Sequence, residues 1–129
     1  MRTVTLIGPG GEPVRTWVPT TMRERMRGLL DRSELGRDEA LLLEGARSVH
    51  TIGMRFPIAV AYLDGHLCVL EVRAVPPNRV LRPRLRARHV LECSCDAELR
   101  AGDRLRMVAA PAGSTFGRAA QEEAARAAR

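Results

Sequence analysis

The sequence predicts a mainly β fold in a single domain, a jelly-roll-like sandwich or a partly open barrel, with one short helix at about residues 21–31. Three observations lead there. Short apolar runs recur between turn-forming residues along most of the chain, the signature of strands. Two of these runs, Ile58 to Leu63 and Leu67 to Val75, flank Asp64-Gly65, a dipeptide suited to a two-residue type I′ hairpin because both central positions need positive φ. The clearest helical periodicity is confined to one stretch, where Met22, Met26, Leu29 and Leu30 recur at i, i+4, i+7 and i+8.

Size and composition fit one globular unit. The chain has 129 residues, 45% hydrophobic and 28% charged, which excludes a disordered or low-complexity chain and allows a core without staples. No apolar run reaches the ~18–20 residues that span a bilayer. The first apolar stretch breaks at Gly8 and Pro9, before a signal-peptide core of ~7–15 residues is reached, so a cytoplasmic location is expected. The three thiols, Cys68, Cys93 and Cys95, are odd in number, and a Cys93–Cys95 ring closes only under strain; a reducing compartment fits.

The elements follow in order. Thr3 to Ile7 and Val14 to Val18 are β-prone runs joined by Gly8-Pro9-Gly10-Gly11, a hairpin. Thr21-Met22-Arg23-Glu24 is a capping box, in which hydroxyl and carboxylate satisfy free backbone donors at the start of a helix. Its Met22–Leu30 stripe is expected to pack on a sheet, with Gly28 inside the helical pattern at a close backbone approach. Ala40 to Leu43 reads as a buried strand and Val49 to Gly53 as a further short one. Both faces of Ile58 to Leu63 are apolar, which puts that strand in the middle of a sandwich or beneath a helix. Pro76-Pro77 ends the hairpin, Ala87 to Cys95 resumes as a strand, and Arg104 to Ala109 alternates as a half-buried edge strand. The globular domain is expected to cover 1–116. The Ala- and Arg-rich segment 117–129 carries no apolar stripe and is expected to fray.

Net charge is +6, and all 21 cationic residues are arginine, a bias expected of a GC-rich coding background. One stretch concentrates them: Arg79, Arg82, Arg84, Arg86 and Arg88 stand without an intervening acid, a candidate for weak nucleic-acid binding. Aromatic residues are only 3% of the chain, so stacking platforms for single strands are nearly lacking, and a solvated arginine face is the ordinary alternative.

Few side chains form a chemical constellation by spacing alone. Alternation puts His89, Cys93 and Cys95 on one face of their strand, a possible beginning of a zinc site without a fourth ligand; buried cysteines acting as small hydrophobes are the commoner case. His50-Thr51-Ile52-Gly53-Met54-Arg55 gathers polar and flexible groups, with His50 a candidate acid or base near neutral pH. Gly8-Pro9-Gly10-Gly11 lacks the lysine and the strand-to-helix context of a phosphate loop, and no cofactor is expected.

Several motifs in fixed order, Arg25-Met26-Arg27-Gly28-Leu29-Leu30-Asp31-Arg32, Glu39-Ala40-Leu41-Leu42-Leu43, His50 to Ile58, Val90-Leu91-Glu92 and Gly102-Asp103, resemble domain-of-unknown-function family 192 over roughly 14–108. The resemblance implies a mainly β, jelly-roll-like sandwich whose short helix carries the Arg-x-x-Gly-Leu motif, and it implies no established reaction. Two departures stand out. Ala59 occupies a position where that family usually has aspartate, and Cys93-Ser94-Cys95-Asp96 replaces a small-residue and glycine turn.

The expected function is a non-catalytic binding or accessory module for a small anion or a carboxylate-bearing partner. Its candidate surface combines Arg25, Arg32, His50, Thr51, Met54, Arg55 and Glu92, since arginine and histidine make charge-assisted hydrogen bonds to carboxylates. Against this stands the possibility that Arg25 and Glu92 pair only to fix the helix on the sheet. A small hydrolase or lyase using His50 is the alternative from another class.

Overall fold

The computed structural model describes residues 2–109. The elements are β1 (Arg2–Ile7), β2 (Pro13–Val18), α1 (Met22–Arg27), β3 (Glu39–Glu44), β4 (Ile58–Leu63), β5 (Val69–Val75), β6 (His89–Cys93) and β7 (Arg106–Ala109). The seven strands form a single sheet in the order β5-β4-β6-β3-β2-β1-β7. All pairings are antiparallel except β2 with β3, which run parallel and are joined by a crossover carrying α1. The sheet curls on itself. Cys68 bridges Arg104, and Val69 N–H donates to the Asp103 carbonyl at 2.7 Å, so the segments leading into the two outermost strands meet. Of the two architectures the sequence allowed, the partly open barrel is the one formed; one curled sheet takes the place of two facing sheets.

Curling divides the core. Val4, Leu6, Val18, Leu42, Ala61, Leu63, Leu91 and Met107 fill the inside of the half-barrel. The outer face, with Leu41, Ile58, Val60, Tyr62 and Val90, is covered by the crossover and by the connections that follow β3 and β5. Every residue of β4 is buried, as its two apolar faces require; each fully buried aliphatic side chain there contributes roughly 1.5–3 kcal/mol. In β7 and the residues before it, Leu105 and Met107 face inward while Arg104, Arg106 and Val108 are exposed.

Four local expectations are corrected. The helix spans Met22–Arg27 and not 21–31: Thr21 caps it by accepting from Glu24 N–H at 3.1 Å, but Gly28 lies at its end with φ of +44°, a conformation side chains rarely adopt, and breaks the turn. Leu29 is buried beyond that break, whereas Met22 and Met26 are 72% and 70% exposed and do not pack on the sheet. The β4–β5 connection is not a two-residue turn. It runs from Asp64 to Cys68, with Leu67 taking the positive φ and the Asp64 carboxylate accepting from the His66 and Cys68 N–H groups. Residues 49–53 contribute only an isolated bridge between His50 and Val80. Three strands are also shorter than expected: β5 begins at Val69, β6 at His89 and β7 at Arg106. The expectation for 117–129 falls outside the described residues. Among the described residues, no helix is long and apolar enough to cross a membrane.

Candidate functional site

The β2–β3 crossover lays α1 and its Gly28 cap over the outer face of the sheet, where a Cβ on Gly28 would meet Leu41 Cδ2 at 3.6 Å. The connection after β3 returns across the same face with Ala46, Ser48, Val49, His50 and Met54. Between the two segments lies a cleft of about 190 Å³ with Leu41, Leu43 and Glu92 of the sheet among its lining residues. Four of the residues singled out in the sequence, Arg25, His50, Met54 and Glu92, meet there.

Glu92 sets the character of the cleft. As the penultimate residue of β6 it lies across from Leu41 of β3 and Val60 of β4, both buried and apolar, and is itself only 5% exposed. Its carboxyl has no hydrogen-bond or ion-pair partner among the described residues. Its oxygens are not sealed in protein and open into the cleft. Burial pushes this carboxyl up to about 7, because an apolar surrounding disfavours the charged form. No ion pair joins Arg25 to Glu92 among the described residues; the Arg25 guanidinium donates instead to the Glu44 backbone carbonyl at the end of β3. The alternative reading, an Arg25–Glu92 strut that fixes the helix on the sheet, is therefore not what these residues form. Arg25 and His50 are exposed, so the cleft has cationic and imidazole groups at its mouth and a carboxyl at its base.

The other candidates serve the framework or stand apart. Thr51 is fully buried: its hydroxyl donates to the Pro76 carbonyl at 2.7 Å and accepts from Arg79 N–H at 3.0 Å, which ties the His50 segment to the chain after β5. Arg32 pairs with Glu39 at 3.1 Å and lies over the Trp17 ring, 4.7 Å from its centre. Arg55 is exposed and does not line the cleft. Ser48 and Ala46 do line it, and no spacing pattern marks them in the sequence; Leu43 lines it from the apolar run that forms β3.

The remaining sequence signals fall elsewhere. Of the arginine stretch, Arg84 is committed to Glu71 at 2.7 Å and stacks over Tyr62, while Arg79, Arg82, Arg86 and Arg88 are exposed. His89 accepts from Gly45 N–H through Nδ1, and burial holds its imidazole below the ordinary histidine range. Cys93 is buried, with its thiol directed to the Ala59 carbonyl at 3.6 Å, and Cys95 is exposed. No group of three or more His, Cys, Asp or Glu among the described residues is arranged to hold a metal ion. Ala59 and Cys93 belong to the core inside the half-barrel, so both departures from the family pattern leave the outer cleft untouched.

A half-barrel sheet with its helix-bearing crossover folded over the outer face defines the architecture, and the motif residues gather on that face. The chain belongs to domain-of-unknown-function family 192, described as "Uncharacterized ACR", whose sequence model matches residues 5–107. Two solved structures are similar. One, from Sinorhizobium meliloti 1021 and described as a "putative transcription regulator", is 19% identical with a TM-score of 0.68, covering 81% of this chain and 92% of its own. The other, a protein of unknown function from Novosphingobium aromaticivorans DSM 12444, is 22% identical with a TM-score of 0.66, covering 81% of this chain and 83% of its own. At these identities the likeness shows the fold alone. No curated protein matches the chain significantly.

Proposed function

We propose that the chain is a non-catalytic binding module whose outer-face cleft holds a carboxylate-bearing small molecule or chain end, gripped at the mouth by Arg25 and His50. One observation carries this reading: residues from α1, the post-β3 connection and β6 converge on one cleft whose buried carboxyl, Glu92, has no partner of its own among the described residues. Arginine and imidazole N–H groups at the rim suit a carboxylate through charge-assisted hydrogen bonds, and the apolar walls of Leu29, Leu41 and Met54 reduce competition from water.

Titration of the labelled protein with propionate, followed by amide chemical shifts, tests the reading. Millimolar propionate is expected to move the Gly28, Ser48 and His50 amides, and Arg25→Ala or His50→Ala to weaken binding about tenfold each, the worth of one hydrogen bond to a charged group. Propionate shifts confined to other parts of the surface overturn it.

A second reading, acid–base catalysis at His50, gains from one observation, that His50 shares its cleft with a carboxyl raised to about 7. Its mark is a substrate of the ester or lyase type whose turnover disappears in a folded His50→Ala protein. Turnover that survives this substitution removes it.

A further inference from the structure

The cleft is electrically polarised along its depth, and that polarity narrows the class of ligand. Arg25 and His50 stand exposed at the mouth, Glu92 lies 5% exposed at the base, and Leu29, Leu41 and Met54 line the cleft with them. A buried carboxylate without a donor loses its hydration and gains nothing in return, a cost of several kcal/mol for an isolated ion. Neither strand neighbour can relieve it, because the residues paired with Glu92 are Leu41 and Val60. Arg25 makes no ion pair with Glu92: it gives one of its five guanidinium N–H groups to the Glu44 carbonyl and keeps the others for the mouth. The missing donor is therefore to be supplied from outside the chain, through the cleft.

We propose that the ligand is an amino-carboxylate, with its carboxylate at the mouth against Arg25 and His50 and its ammonium at the base against Glu92. The assignment rests on the carboxylate-binding reading above and adds the second charge. A simple carboxylate satisfies the mouth and leaves Glu92 facing an apolar tail. A simple amine satisfies Glu92 and brings no anion for Arg25. Only a molecule with both charges answers both ends, and beside a carboxyl as buried as Glu92 a correctly placed pair counts for more than in bulk solvent. Size agrees: about 190 Å³ is some six waters' worth of space, below the ~300 Å³ at which pockets for drug-sized molecules begin. Glu92 is ionised above pH about 7 and so acts as the counter-ion under mildly alkaline conditions.

The test is calorimetric titration at pH 8 with glycine, β-alanine and 4-aminobutyrate, whose charges are progressively farther apart, beside acetate, propionate, methylamine and propylamine. One amino-carboxylate of the series is expected to bind at least tenfold more tightly than any acid or amine. Glu92→Gln is expected to remove the amino-carboxylate's advantage over the plain acids. Equal binding of acids and amino-carboxylates, unaffected at Glu92, overturns the inference and leaves the carboxylate reading intact. Amines that bind as tightly as amino-carboxylates overturn the role of the mouth, and with it both readings, as does a failure of every probe to bind.

Discussion

Glu92→Gln is expected to remove a component of the pH dependence of stability that the unsubstituted protein shows between about pH 4.5 and about pH 7. The ordinary carboxyl value is 4.5, and burial raises it in the folded chain to about 7, so between these limits the folded state holds a proton that the unfolded state has released. Unfolding then releases a proton, and the free energy of unfolding falls as pH rises. The stabilising contribution is complete below pH about 4.5 and is lost as pH passes through about 7. Its size is on the order of 3 kcal/mol, since each tenfold change in proton affinity on folding is worth about 1.4 kcal/mol. The charged and titratable groups that share the cleft with Glu92 are Arg25, Arg27 and His50, while Leu41 and Val60 flank it on the neighbouring strands. Urea unfolding at half-unit pH steps measures the difference between the two proteins. Parallel pH profiles mean that Glu92 holds its proton equally in the folded and unfolded chain, so that burial does not perturb it. The same experiment separates burial from pairing, because a paired carboxylate shifts in the opposite direction and loses stability as pH falls.

Thr51→Val is expected to destabilise the fold by about 2–4 kcal/mol, although valine matches threonine closely in shape and is also apolar. The hydroxyl is fully buried between the Pro76 carbonyl and the Arg79 N–H, and valine strands both backbone groups without water. Thr51 backbone groups extend the same tie: its N–H donates to the Arg79 carbonyl at 2.8 Å and its carbonyl accepts from Asn78 N–H at 2.8 Å. These bonds hold the connection that carries His50 and Met54 against the chain after β5. Amide exchange at Thr51 and Asn78 should quicken along with the drop in the unfolding midpoint. Thr51→Ser, which keeps the hydroxyl, is expected to retain most of the stability. A valine variant as stable as the unsubstituted protein would mean that water replaces the lost bonds.

The strands were legible because their signal is local. Ile58 to Leu63 is apolar on both faces and lies fully buried one strand in from the β5 edge of the sheet, and Ala40 to Leu43 is the core of β3. The helix was legible at its start, where capping chemistry sits within four residues, but not at its end. The apolar stripe continues through Leu29 and Leu30, yet the backbone turns at Gly28, so those leucines reach the core from a non-helical segment. Asp64-Gly65 located a turn without fixing its kind, since the Asp64 carboxylate holds a longer loop together.

The site was legible only in part. Arg25, His50, Met54 and Glu92 belong together because a parallel crossover and a returning loop cover the same patch of sheet, and no spacing along the chain encodes that meeting. Thr51 and Arg32 carry the residue types of a binding site but spend them internally, on Pro76 and Arg79 in one case and on Glu39 and Trp17 in the other. Residue type announces what a side chain can do; the fold decides whether a neighbour has already claimed it.

Alternation along β6 sends Glu92 outward and its neighbour Cys93 into the barrel interior. The chain thus carries a natural clock for its own breathing. With Cys68 and Cys95 changed to serine, a thiol reagent reaches Cys93 only when β4 and β6 part, because the sulfur is buried against Ala59 and burial keeps its proton on up to about 12. The modification rate then reports how often the sheet opens, and a molecule seated on the far side of the strand would slow that rate without ever meeting the sulfur.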